Sequence, residues 1–196
     1  MADITIEQIK KLKELSGVGL TDAKQALVEA KGDFDKALEA MRKKGLTKAE
    51  KRGDRETREG LIDSYVHDGR IGAIVEVNCE TSFVAKTDEF KDLAHKMAMQ
   101  VASMNPLYVS EDDIPEDVKK AKMKELEENF KGPEKMKDQI LAGQAKKAFA
   151  DKVLLSQPYI LDDSKTVEQF IKDCIAKTGE NITVRQFKRI ELGVTE

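Results

Sequence analysis

Cysteine is close to absent from this chain, whose 196 residues hold only Cys79 and Cys174. Two thiols so far apart show no paired metal-ligand spacing, and they are too few for a disulfide-dense secreted scaffold. Long apolar runs are missing as well, so no segment is expected to span a bilayer. The first residues carry Asp3 and Glu7 where a signal peptide would place a basic stretch followed by an apolar one. Together these absences predict a soluble protein in a reducing, cytoplasmic setting.

Net basic charge is the next absence. Lys and Arg number 34 against 37 for Asp and Glu, a balance of -3, so no excess is left to neutralise a run of nucleic-acid phosphates. Direct nucleic-acid binding is not expected. Phosphate-cradling loops are missing too: there is no GxxxxGKS or GxxxxGKT, and no GxGxxG after an initial strand. The stretch "SGVGLTD" has two glycines, but it lies between predicted helices and lacks a lysine to reach phosphate oxygens. It reads as a tight helix connection.

Catalytic patterns are equally scarce. His67 and His95 stand in no nucleophile–base arrangement and are expected to be surface or locally hydrogen-bonded residues. Asp112, Asp113 and Glu116 form a charge cluster at a helix start without the spacing of a metal loop. No catalytic residue, metal ligand or cofactor site is assigned to this chain, and it does not read as an enzyme.

What the chain does have is 40% hydrophobic residues, enough for at least one sizeable core, arranged with clear periodicity. Thr5 followed by Gln8 has capping-box spacing, with Ile4 and Ile9 in the staple positions around it. Ile6, Ile9, Leu12 and Leu15 then recur at roughly helical spacing, and the expectation is that all four face one core. Gly17 and Gly19 end this helix, and "TDAKQALVEA" forms the second. Asp33 caps the third, "FDKALEAMRKK", which Gly45 is expected to stop. Ala23, Ala26, Leu27, Phe34, Ala37, Leu38 and Met41 supply the packing between the three. The basic residues Arg42 to Lys44 suit the negative end of that helix dipole, with a partner-binding patch as the alternative. The domain reading is therefore a helical module over 1–45, a charged linker over 46–59, and an α+β core over 60–196.

In the core, "LIDSYVHDGRIGAIVEVNCE" reads as two strands around a turn at His67 to Arg70, with "DG" as the turn signal. Ile71, Ala73, Val75, Val77 and Cys79 alternate onto one face, opposite Glu76 and Asn78. Thr87 caps a helix in which Phe90, Leu93, Ala94, Met97, Ala98 and Val101 repeat at helical spacing. Pro115 and Pro133 mark two charged helices within a helical insertion near 115–150, expected to pack as a hairpin. Met97, Met123 and Met136 fit apolar faces. A last helix in "KTVEQFIKDCIAKTGE" and a strand in "NITVRQFKRIEL" complete an antiparallel sheet with packed helices.

Phe83 falls in the connection between strand and helix. Burial in local packing is the ordinary reading for so large an apolar ring; projection into a partner's cleft is the alternative.

The order of segments resembles the elongation factor Ts family of bacterial guanine-nucleotide exchange factors, in a short form. "LKELSGVGLTDAKQALVEAKGDFDKALEAMRKKG" is similar to its amino-terminal module, "GAIVEVNCETSFVAKTDEF" to the beginning of its core, and "QPYILDDSKTVEQFIKDCIAKTGENITVRQFKRIELG" to its ending. The resemblance implies a UBA-like three-helix module that docks on elongation factor Tu. It implies as well a Thr-Asp-Phe-Val segment that approaches the partner's magnesium and nucleotide site. Thr81, Ser82, Phe83 and Val84 occupy that segment here, and Leu20 matches a contact position in the amino-terminal module. Ser82 stands where the family usually has aspartate, which keeps a hydrogen-bonding oxygen and loses the carboxylate charge. GDP, GTP and Mg2+ would then belong to the partner, and the short core is consistent with a homodimer. A helical adaptor that docks without accelerating exchange is the alternative function.

Overall fold

A computed structural model describes residues 4–16, 19–130, 132–133 and 136–194. Three helices come first: α1 (Ile6–Ser16), α2 (Leu20–Glu29) and α3 (Phe34–Glu50). The capping box at the start of α1 is present, since Gln8 N–H donates to Thr5 Oγ1 at 3.2 Å and Thr5 N–H donates to Gln8 Oε1 at 3.0 Å. Asp33 caps α3 by accepting from Lys36 N–H at 3.1 Å. All three bonds satisfy amides that a helix start leaves without partners. After α2 the chain turns through Lys31 and Gly32, both left-handed. Gly32 N–H then reaches Leu27 O at 2.8 Å and Lys31 N–H reaches Val28 O at 3.0 Å, the paired bonds of a Schellman end. Gly17, expected to help end α1, lies outside the described residues.

The three helices bury Ile9, Leu12, Ala23, Ala26, Leu27, Ala37 and Met41, with Ile4, Phe34 and Leu38 packed against them. Two expectations fail here. Ile6 and Leu15 do not face this core; they are exposed. Helical residues advance about 100° each, so four positions spaced by three drift through about 180°, and only the middle pair can share a core. Nor does α3 stop at Gly45, because it runs on to Glu50. Gly45 is buried, and a Cβ there would lie 3.2 Å from Ala176 Cβ, so this glycine marks a close approach between helices instead of an end. Lys43 and Lys44 consequently sit inside the helix, away from its negative end, and pair with Glu39 at 2.8 Å and Asp22 at 2.9 Å.

Strands β1 (Glu59–His67) and β2 (Ile71–Cys79) form the expected hairpin. Arg70 N–H donates to His67 O at 2.9 Å across Asp68 and Gly69, both at positive φ. This is the turn whose twist matches paired strands. β2 is central in the order β1-β2-β5, where β5 is Ile182–Glu191. Asn181 N–H, at the start of β5, meets Glu80 just past the end of β2 at 2.6 Å, and Leu192 N–H, at its finish, meets Arg70 O just before the start of β2 at 2.8 Å. The two strands are therefore antiparallel.

Helices α4 (Ser82–Ala85) and α5 (Asp88–Met104) follow β2. Phe90, Leu93, Ala94, Met97, Ala98 and Val101 are all buried, as the stripe on α5 requires. Next come α6 (Glu116–Glu128) and α7 (Lys137–Ala150), which pack against each other. Pro115 immediately precedes α6, whereas α7 begins four residues after Pro133. Met136 is exposed and fills no core gap. A short antiparallel pair, β3 (Pro158–Tyr159) with β4 (Asp162–Thr166), was not anticipated, and α8 (Val167–Thr178) precedes β5. The fold is α+β, with helices first and a small antiparallel sheet.

Contacts group the chain into two compact units. One comprises Met1–Ile62, Glu76–Ala94 and Gln169–Val184, and the other Asp63–Val75, His95–Glu168 and Arg185–Glu196. In the first, the charged segment after α3 is held to the chain near β5: Asn181 Nδ2 donates to Gly53 O at 3.1 Å and Arg55 O at 2.8 Å, and the Thr57 and Thr183 hydroxyls are 2.9 Å apart. In the second, the fully buried Gln100 and Gln157 join side chain to side chain at 3.1 Å. Gln157 Nε2 also donates to Met104 O and Asp151 O, and Gln100 Oε1 accepts from Ile160 N–H. Every polar atom of this buried pair is thus satisfied, as burial without loss demands.

Candidate partner-contact site

The connection after β2 is more ordered than its sequence suggests. Thr81 caps the one-turn helix α4, its hydroxyl accepting from Val84 N–H at 3.4 Å. At the other end, Thr87 Oγ1 donates to Val84 O at 2.8 Å and accepts from Phe90 N–H at 3.2 Å. One threonine therefore finishes α4 and starts α5. Only Ala85 of the four α4 residues is buried.

Phe83 is 84% exposed, so the ordinary expectation of local burial is wrong for this ring. The reason is geometric. α4 is a single turn, and its inward face is taken by Ala85, which leaves Phe83 on the outer side. Ser82 and Val84 are half-buried beside it. Leu20, the other candidate, is the first residue of α2 and is 54% exposed. It stands on a separate element, following Gly19, whose carbonyl accepts Ala23 N–H at 3.0 Å.

Beneath α4 lies a polar junction that sequence reasoning missed. Thr81 Oγ1 donates to Glu180 Oε1 at 2.6 Å and Thr81 N–H donates to Glu180 Oε2 at 3.0 Å. In the reverse direction, Glu80 Oε1 accepts Asn181 N–H, and Arg55 stands 3.5 Å from the same carboxylate. Glu180 is placed by the end of α8, where Gly179 takes a left-handed φ and its N–H reaches Ile175 O at 2.9 Å. The only hint in the sequence was "TGEN", a glycine after a helix followed by a carboxylate and an amide.

Cys79 is buried next to this junction, its Sγ donating to Thr81 O at 3.2 Å. Burial first, and then the negative charge of Glu180, push its thiol up to about 11. A thiol held that high is almost entirely protonated at neutral pH and is a poor nucleophile. Iodoacetamide at pH 7.5 should therefore label Cys174, which is less buried, well before Cys79. Peptide mapping of a labelling time course checks this order, and equal rates would contradict the packing described here.

The histidines are local contacts. Tyr65 Oη lies 3.1 Å from His67 Nδ1, and His95 Nδ1 lies 3.4 Å from Asp63 Oδ2. Among the described residues no group of three or more His, Cys, Asp or Glu side chains could hold a metal ion. No helix of the described residues is long and apolar enough to cross a membrane.

The family model described as Elongation factor TS matches residues 4–194. The chain belongs to the elongation factor Ts family. It is 49% identical over 193 residues to Elongation factor Ts of Thermotoga maritima, covering 97% of each chain. Identity to Elongation factor Ts of Moorella thermoacetica is 48% over 195 residues, covering 97% of this chain and 96% of that one. Elongation factor Ts of Rippkaea orientalis is 49% identical over 199 residues, which span 98% of this chain and 80% of the relative. The match of elongation factor Ts to this chain therefore takes in both candidate elements, the start of α2 and the one-turn helix α4.

Proposed function

We propose that this chain is a guanine-nucleotide exchange factor that binds elongation factor Tu and hastens GDP release during translation elongation in the cytoplasm. The observation that carries the reading is the exposed ring of Phe83, raised on a helical turn that is fastened at both ends, in a chain of this family. In this reading the amino-terminal module of residues 1–45, UBA-like in form, docks the partner's GTPase domain with Leu20 in contact. The core of residues 60–196, joined through the charged segment 46–59, presents Thr81, Ser82, Phe83 and Val84 to the nucleotide region. Phe83 enters between partner elements and disturbs the magnesium site; Ser82 contributes an oxygen where a carboxylate would be usual.

The physics required is differential affinity. A factor that bound loaded and empty partner equally would shift neither population. By linkage, a factor that weakens GDP binding is itself held less tightly when GDP is present. This chain makes and breaks no covalent bond in that cycle: GDP, GTP and Mg2+ are the partner's ligands. A homodimer is part of the same reading, supported by Ile190 and Val194, which are exposed and line an open cleft of about 780 Å³ together with Leu107 and Phe187.

The deciding experiment loads elongation factor Tu with fluorescent GDP and chases with excess unlabelled nucleotide, with and without the purified chain. Faster loss of fluorescence that saturates with factor concentration is the expected result. A complex that forms while release stays at its spontaneous rate would leave an adaptor as the function.

A further inference from the structure

We propose that Glu180 is a positioning residue for exchange: its carboxylate, by gripping both the backbone and the hydroxyl of Thr81, sets the direction in which Phe83 points. This inference rests on the exchange reading above and adds to it a residue lying 99 positions from Thr81 in sequence.

The argument starts from a helix of four residues. One turn cannot hold itself, because forming it fixes several residues for very few hydrogen bonds. The orientation of α4 must therefore come from its two anchors. Thr87 supplies the far one. At the near one Thr81 does three things at once: its hydroxyl accepts from Val84 N–H, the same hydroxyl donates to Glu180 Oε1 at 2.6 Å, and its amide donates to Glu180 Oε2 at 3.0 Å. With its hydrogen directed at Glu180, the Thr81 hydroxyl has its lone pairs turned toward Val84. The carboxylate thus fixes the rotamer that makes Thr81 a cap.

Glu180 is itself held. Its neighbour Asn181 is almost fully buried, donates to Gly53 O and Arg55 O, and gives its amide to Glu80 at 2.6 Å. Glu80–Thr81 and Glu180–Asn181 therefore trade bonds in both directions, carboxylate to backbone N–H each way. Two such bonds in opposite senses resist sliding and rotation of the α4 base far better than either alone. Acceptors that carry charge make bonds roughly twice as strong as neutral ones.

The test is a double-mutant cycle read in the fluorescent GDP chase at saturating factor. Glu180→Ala should lower the maximal release rate about tenfold and move the half-saturating concentration much less, because docking through α2 is untouched. Against a Phe83→Ala background the same substitution should cost less than twofold, since a mis-aimed ring that is already gone cannot be lost again. Equal factors in the two backgrounds would overturn the proposal, as would wild-type release by Glu180→Ala. If Glu180→Ala melts below the assay temperature, Glu180→Gln takes its place in the cycle. The amide keeps the side chain's size and one acceptor for Thr81, and the same sub-additive pattern is required of it. Wild-type factor that fails to speed release would instead defeat the exchange reading itself, a result distinct from additivity.

Discussion

Replacing Phe83 with alanine should cut the maximal rate of GDP release by about a hundredfold and leave the thermal midpoint of the free chain within a degree or so. Both halves follow from exposure. A ring that is 84% exposed contributes little burial on folding, so truncating it removes little stabilisation and opens no cavity. On a partner the sign reverses. A large flat apolar side chain entering a desolvated cleft is the type of residue that carries binding energy, with losses of about 2 kcal/mol or more on truncation. A contact worth about 3 kcal/mol in the release transition state alone changes the rate by roughly a hundredfold. In the proposed reading Leu20→Ala should behave differently, because docking through the first module would act before release: it should raise the factor concentration needed more than it lowers the maximal rate. A folded Phe83→Ala protein with the wild-type release rate would remove the centre of the mechanism.

How much of this was legible in the chain depends on the range of the interaction involved. Bonds between neighbours in sequence could be read directly: the Thr5 and Gln8 capping box, the Asp33 and Thr87 caps, and the Asp68–Gly69 turn all appear where local chemistry puts them. The buried stripe of α5 was equally plain, because seventeen residues give a period room to show. α4 was invisible because four residues are about one period. β3 and β4 were missed because two and five residues, the latter reading "DDSKT", carry no apolar alternation. Gly45 was misread as a stop because glycine signals both a helix end and a close contact, and only the position of Ala176 separates the two. Gln100 could have been suspected. It lies seven residues after Leu93 and three after Met97, on the buried stripe, where an amide needs a partner; that Gln157 would supply one was not readable. The same holds for Glu180 and Thr81, since nothing local in either segment names the other.

Gly60 gives the sharpest test of the strand geometry that leads into α4. A Cβ at this position would lie 2.2 Å from Val77 O, 2.8 Å from Asn78 Cα and 2.9 Å from Asn78 Oδ1, with φ at +155°. Two of these three atoms are backbone of the central strand β2, where Val77 is fully buried, so they cannot swing aside as a side-chain tip would. Gly60→Ala should therefore incur both the strain of an unfavourable backbone angle, about 1–3 kcal/mol, and the overpacking of a Cβ forced against the backbone of a neighbouring strand, about 1–3 kcal/mol. A loss near 4 kcal/mol would be a large part of the whole stability of a small protein, and should lower the thermal midpoint by about 10 °C. Gly143→Ala is the matched control: it lies inside α7, a Cβ there meets nothing within 4 Å, and relief of glycine's backbone freedom should add about 1 kcal/mol. Scanning calorimetry of the two variants separates close approach from a general effect of alanine. Melting of Gly60→Ala at the wild-type temperature would mean that β1 does not press on β2 as described. The consequence would extend further, because β2 runs through Val77 and Asn78 straight to Glu80 and Thr81, so a shift of that strand is a shift in the base on which Phe83 stands.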